Sequence, residues 1–148
     1  MKKLLLIALL IFGCSTEPED CVELLGECYN IKETDEIYLT GGRTGEIPST
    51  IGDLTNLTSL NIYNNQLTGE IPSEIGNLTN LTKLFLYENN LTGSIPPEIG
   101  NLTNLTAWSL NDNQLTGDIP QAVCDLIESN NLDISDILNG NNLTNTCD

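Results

Sequence analysis

Carboxylates and cysteines are the side chains this sequence offers for chemistry. It holds 21 Asp and Glu, five Cys and no His in 148 residues. Without His the commonest general base is missing, and no Ser stands in the glycine-flanked setting of a nucleophile elbow. Carboxylates such as Glu88 and Asp112 could approach one another on a folded face and take calcium. The dense oxygen-ligand spacing of a dedicated calcium loop is absent, however, and a solvated acidic surface accounts for them more simply. The sequence therefore predicts no enzyme, no cofactor and no metal site. A formal charge of −16 with only five Lys and Arg also argues against nucleic acid, whose binders cluster basic residues.

Aromatic residues are the other candidates, and a repeat decides where they fall. "GEIPSTIGDLTNLTSLNIYNNQLT" (Gly45 to Thr68), "GEIPSEIGNLTNLTKLFLYENNLT" (Gly69 to Thr92) and "GSIPPEIGNLTNLTAWSLNDNQLT" (Gly93 to Thr116) follow one another at a 24-residue step. Residues at a fixed step occupy equivalent places on successive turns of a solenoid. Leu57, Leu60, Ile62 and Leu67 recur as Leu81, Leu84, Leu86 and Leu91, and again as Leu105, Trp108, Leu110 and Leu115. The L-x-L alternation within each set predicts a short strand with one buried face. Trp108 takes the core slot of Leu60 and Leu84 and is expected to be buried.

These residues resemble the leucine-rich-repeat pattern L-x-x-L-x-L-x-x-N-x-L, with Asn65, Asn89 and Asn113 in its asparagine slot as a stacked structural ladder. "LTGxIPxxIGxLxxL" resembles the plant-type subfamily in particular. The resemblance implies an α/β solenoid, a short right-handed coil. A parallel β-sheet of about five strands, near 37–39, 60–62, 84–86, 108–110 and 132–134, forms its concave face. Short helical or extended turns form its convex face, and disulfide-closed caps its ends. Gly69, Gly93 and Gly117 are read as tight bends. Pro72 and Pro96 are read as first residues of the convex turn, and Gly76 and Gly100 as its left-handed end.

The chain before and after the repeats carries the cysteines. "MKKLLLIALLIFGC" has a basic start and an apolar run from Leu4 to Phe12, too short for a bilayer that needs about 20 residues. It reads as an export signal. "IFGC" resembles a bacterial lipoprotein signal, which implies lipid on Cys14; an ordinary signal with an incidental Cys is the alternative. With Cys14 set aside, Cys21 and Cys28 flank the repeats on one side and Cys124 and Cys147 on the other. Four cysteines allow three connectivities. Export favours oxidation, and bridges Cys21–Cys28 and Cys124–Cys147 are expected because the two ends of a rigid stack do not meet. In "CVELLGECYN", Val22, Leu24 and Leu25 are expected to cover the first strand, with Gly26 breaking a helix so that the cysteines approach. The expected organisation is a signal at 1–13, lipidated Cys14 and tether at 14–20, an N-terminal cap at 21–36, repeats at 37–126, and a C-terminal repeat remnant and cap at 127–148.

Strand residues that leave the core face are free to vary. They place Tyr38, Asn61, Tyr63, Lys83, Phe85, Tyr87, Glu88, Ser109, Asn111 and Asp112 on the concave face as candidate ligand contacts. Neighbouring strands lie about 4.8 Å apart, so the four aromatic rings can form one patch, suited to a protein or a sugar. Cross-strand packing that only braces the sheet is the alternative. The expected function is a monomeric, non-catalytic recognition or adhesion module. It would meet a protein or polysaccharide at a bacterial cell surface or outer membrane, held there by lipid on Cys14. A structural surface coat is the runner-up. An ice or crystal-surface binder using Thr rows such as Thr58, Thr82 and Thr106 is the third reading.

Overall fold

The computed structural model describes residues 20–147. The expected signal at 1–13, Cys14, the tether through Glu19, and Asp148 lie outside the described residues.

The chain opens with a β-hairpin, β1 (Cys21–Leu24) and β2 (Glu27–Asn30), paired antiparallel. This corrects the expected helix. Val22 and Leu24 are buried while Glu23 is exposed, a period of two that only a strand can present. Leu25 and Gly26 turn the chain with φ of 51° and 83°, the paired positive values that match the twist of a tight hairpin. Cys21 and Cys28 are bonded, with Cα atoms 5.7 Å apart. Arg43, from the first coil, donates from Nη1 to the carbonyl of Leu25 at 3.1 Å and pairs with Glu27. The hairpin is thereby fastened to the repeats.

Each coil then runs strand, bend, lateral bridge and convex turn. The concave strands are β3 (Glu36–Tyr38), β5 (Ser59–Asn61), β7 (Lys83–Phe85) and β8 (Ala107–Ser109), parallel and in that order. Ile37, Leu60, Leu84 and Trp108 stand in register across them. On the lateral face β4 (Thr44–Gly45) pairs with β6 (Gln66–Leu67), and β9 (Thr116–Asp118) pairs with β10 (Asn142–Thr144). Gly69, Gly93 and Gly117 bend the chain there with φ of 79°, 77° and 90°. One hydrophobic column fills the coil, including every repeated Leu and Ile and Trp108, which is 2% exposed. The Trp108 indole N–H donates to the Asp133 carbonyl at 3.3 Å.

The convex turns are 3-10 helices at Ser49–Asp53, Ser73–Asn77 and Pro97–Asn101. Two details differ from expectation. Pro72 and Pro96 stand one residue before the turn, in extended backbone. Gly76 and Gly100 have no left-handed φ. They are glycine because a Cβ on Gly76 would meet the carbonyl oxygen of Glu98 at 2.5 Å, and one on Gly100 that of Ala122 at 2.6 Å. Successive turns touch backbone to backbone at this slot.

Among the described residues the concave sheet has four strands, not five. Residues 132–134 lead into a single helical turn, α2 (Ser135–Leu138). Asn113 and the next ladder asparagine, Asn141, are separated by 28 residues instead of 24. One turn of helix absorbs the four extra residues, because helix advances about 1.5 Å per residue where strand advances about 3.3 Å. Hydrogen bonding continues across it, from Leu110 N–H to Asp136 at 2.8 Å and from Asp112 N–H to Asn139 at 3.0 Å. Before it, the last convex turn lengthens into α1 (Gln121–Asn130), which ends at left-handed Asn131. Cys124 fills the glycine slot there and is bonded to Cys147, Cα atoms 5.2 Å apart.

Candidate functional site on the concave face

Strand alternation turns Tyr38 and Phe85 out between core residues, while Tyr63 and Tyr87 follow the core residues Ile62 and Leu86. Because β3, β5 and β7 are in register, the four rings meet. Tyr38 and Tyr63 stand edge to face with centroids 5.7 Å apart and planes at 86°. Tyr63 and Tyr87 stack at 4.6 Å and 7°. Phe85 meets Tyr87 edge-on at 6.3 Å and 82°. The Tyr38 and Tyr63 hydroxyls share a hydrogen bond. Tyr38 is 64% exposed, and the other three rings are half-buried. The result is a continuous aromatic strip across three strands.

The hydrogen bond to Tyr38 raises the Tyr63 phenol to about 12. Burial, and then the charge of neighbouring Glu88, pushes the Tyr87 phenol up. Both phenols are neutral at physiological pH, so the strip presents rings and hydroxyls rather than phenolates.

Toward β8 the face becomes polar. Ser109 is buried and donates its hydroxyl to Asn111, whose amide donates to Asp112. Beyond β8, Ser135 N–H donates to the Asp133 carboxylate at 2.8 Å and holds it below the usual carboxylate range. Burial and the Asp133 charge push Asp136 up. Asn61 is spent inside the sheet, donating to Ser59 at 2.8 Å and to the Ile37 carbonyl at 3.4 Å. Lys83 is exposed on β7. Glu88 and Asp112 are exposed and share a backbone peculiarity: with Asn64 they lie in the left-handed region, φ 53° to 54°. Among the described residues no group of three or more Cys, Asp or Glu gathers to hold a metal ion.

Beneath the strip, the asparagines hold the bends. Asn89 accepts from Leu67 N–H at 3.1 Å and donates to the carbonyls of Ile62 and Leu86 at 2.8 and 3.0 Å. Asn113 makes the equivalent bonds, and Asn65 accepts from Arg43 N–H and donates to the carbonyls of Leu39 and Tyr63. Asn141 continues the series, accepting from Leu115 N–H at 3.0 Å. Sequence reasoning missed it, although "NNLT" stands four residues late. The Thr58, Thr82 and Thr106 hydroxyls donate to carbonyls of the preceding coil at 2.9 to 3.1 Å.

A cleft of about 590 Å3 also escaped the sequence reading; Glu46, Glu70, Ser94, Pro72 and Pro96 line it on the lateral and convex side. It shares no residue with the aromatic strip.

A family model described as leucine-rich repeats, in two copies, matches residues 55–97. No curated protein matches the sequence. Among solved structures, the chain is similar to the ectodomain of BIR2 from Arabidopsis thaliana, at 32% identity and TM-score 0.66 over 74% of this chain and 56% of that one. It is similar to the plant peptide hormone receptor RGFR1 in complex with RGF2, at 42% identity and TM-score 0.65 over 76% of this chain and 17% of that one. It is also similar to a plant ice-binding protein, at 34% identity and TM-score 0.66 over 74% of this chain and 34% of that one. The chain thus spans between 17% and 56% of the length of these relatives. Together with the parallel sheet, these likenesses make the fold a leucine-rich-repeat solenoid.

Proposed function

From this leucine-rich-repeat solenoid as premise, we propose a non-catalytic recognition module that takes a protein or polysaccharide on its concave face. The strip of Tyr38, Tyr63, Tyr87 and Phe85 carries the reading. Four aromatic rings gathered on the free face of a sheet supply the rigid, amphipathic contact area that binding hot spots use. Asn61, Lys83, Glu88, Ser109, Asn111 and Asp112 surround it as polar candidates. A peptide-bound hormone receptor among the similar structures supports a protein ligand in particular. The deciding experiment is biolayer interferometry of the protein against purified extracellular proteins and cell-wall polysaccharides, beside a Tyr63→Ser/Phe85→Ser variant. A ligand bound by the native protein and lost by the variant, with circular dichroism unchanged, supports the site. A ligand held equally by both sinks it.

Export and lipid attachment at Cys14 of a bacterial cell-surface protein complete the proposal. They rest on the "IFGC" resemblance and on the two disulfides, which suit an oxidising compartment. Metabolic labelling with an alkyne fatty acid should mark the native protein and spare Cys14→Ser.

A second reading, ice or crystal-surface binding, is favoured by one lateral feature. Thr44, Thr68, Thr116 and Thr144 are exposed at equivalent bends with half-buried Thr92 among them, and Gln66, Asn90, Gln114 and Asn142 are exposed beside them. These rows carry no charge, and one similar structure is an ice-binding protein. The Thr58, Thr82 and Thr106 row is less suited, since all three hydroxyls are held on backbone carbonyls at 2.9 to 3.1 Å, while in the lateral row Thr68 and Thr92 donate to the Gly45 and Gly69 carbonyls at only 3.4 and 3.3 Å. Thermal hysteresis in the purified protein, abolished by Thr68→Lys, is the expected result; its absence removes this reading.

A further inference from the structure

Resting on the concave-face reading above, we propose that the ligand is an extended cationic segment of a protein or peptide. Its Arg or Lys side chains would lie on the strip of Tyr38, Tyr63 and Tyr87 and against the carboxylates of Glu88 and Asp112.

Charge complementarity selects this occupant. Glu88 directly follows Tyr87, and Asp112 directly follows Asn111 in the same row, so carboxylates line one side of the strip. Glu36 is exposed at the start of β3, and Asp133 and Asp136 lie beyond β8. Against these five carboxylates, the face carries one cation among the described residues, Lys83. The ion pairs among the described residues, Lys32–Asp20 and Arg43–Glu27, use neither Lys83 nor any of the five. The acidic charge of the face is therefore not neutralised by any ion pair among the described residues. A uronate polysaccharide or an acidic peptide would meet it with repulsion, while a guanidinium gains twice, from the carboxylates and from the aromatic rings. After burial, the Glu88 charge helps to push the Tyr87 phenol up.

The spacing suits an extended chain. Strands about 4.8 Å apart present the rings as steps across the sheet, and alternate side chains of an extended segment fall about 7 Å apart along one face. Asn111 and Asp112 follow β8, the strand next to β7, so they stand one strand step beyond Tyr87.

The test uses the full chain and four probes: short peptides of alternating Gly and Arg, Gly and Lys, or Gly and Glu, and a β-1,4-linked glucose oligomer. Binding is read by tyrosine fluorescence and calorimetry. Tyr63→Ala/Tyr87→Ala and Glu88→Gln/Asp112→Asn are compared with the convex-face control Asp53→Asn/Glu98→Gln, each checked for folding by circular dichroism. Expected is binding of the Gly–Arg peptide that weakens about tenfold or more in both concave variants. It should stay within about twofold in the control, and fall with added salt as the Debye length drops from about 10 to 3 Å. Equal loss in the control would mean bulk acidity and overturn the proposal. If the glucose oligomer or the Gly–Glu peptide is the bound probe, and Tyr63→Ala/Tyr87→Ala loses it, the recognition face stands and the cationic ligand falls. Binding of no probe by any form overturns the cationic ligand, while the screen under Proposed function still decides the face.

Discussion

The carbonyl oxygen of Glu98 lies where a side chain on Gly76 would begin, 2.5 Å from a Cβ built there. The same relationship joins Gly52 to Glu74 and Gly100 to Ala122, each at 2.6 Å. The repeated glycine is thus a contact between coils, and it sets how closely the convex turns stack. Gly76→Ala should cost about 1–3 kcal/mol, the usual range for overpacking a tight interior, read as a lower urea midpoint. Gly117→Ala has open space, with Ser94 Cβ nearest at 3.9 Å, but needs φ of +90°; it should cost roughly 1 kcal/mol from backbone strain alone. Equal costs would remove the distinction.

Where the array stops, the same slot holds Cys124, and its side chain reaches Cys147 instead of a further coil. The bridge closes a loop of sequence separation 23, for which chain entropy gives roughly 3 kcal/mol. Cys124→Ser/Cys147→Ser should lose about that much. Hydrogen exchange should rise in β10 and α1 and stay low in β5 and β7. Uniform loss of protection would instead mean that the coils melt as one unit.

Asn89 bonds four backbone groups of two coils, Leu67 N–H and the carbonyls of Ile62, Leu86 and, at 3.3 Å, Tyr87. Each group left unpaired in the core costs about 1–3 kcal/mol. Asn89→Ala should therefore cost about 3 kcal/mol or more. Asn141→Ala should cost less, because Asn141 is half-buried and water can replace it. Urea unfolding of the two variants decides the order.

The periodic column was legible in the residues because each buried Leu announces its slot three times. Register, the burial of Trp108 and the cysteine pairing followed from that period. The misreadings have physical causes. The fifth strand failed because a four-residue excess, hidden in the degenerate tail before Asn141, is taken up as one helical turn. The hairpin cap failed because its alternation covers only Val22 and Leu24, too few residues to separate strand from helix. The role of Gly76 failed because its partner lies 22 residues on in the next coil, which local turn rules do not see. At the candidate site, the aromatic cluster followed from strand alternation. The Tyr38–Tyr63 hydroxyl bond and the left-handed backbone of Glu88 did not, since both depend on how neighbouring coils close.

The raised phenols give a pH prediction. The folded Tyr63 value of about 12 lies above its ordinary 10, so the neutral phenol is the form the fold favours. Its contribution is present in full below pH 10 and is lost as pH rises through about 12. Ultraviolet titration should show a tyrosine with that late midpoint, and Tyr38→Phe should return it toward 10. An unchanged curve in Tyr38→Phe would remove the hydroxyl pair as the cause.

Glu88 sits in a backbone conformation that suits it poorly. The equivalent row reads Gly41, Asn64, Glu88, Asp112, Gly140, all with positive φ. Glycine meets this without strain, and Asn and Asp tolerate it, but a longer side chain is held there at a cost of about 1–2 kcal/mol. Glu88→Gly should therefore stabilise the fold by roughly 0.5–1 kcal/mol, after the entropy that glycine adds to the unfolded chain. If the carboxylate serves recognition, the same change should weaken binding of a cationic peptide. A higher melting temperature with weaker binding would show stability being given up for the ligand, the trade-off expected at functional positions. A higher melting temperature with unchanged binding would place Glu88 outside the recognition surface and leave the aromatic strip to act without it.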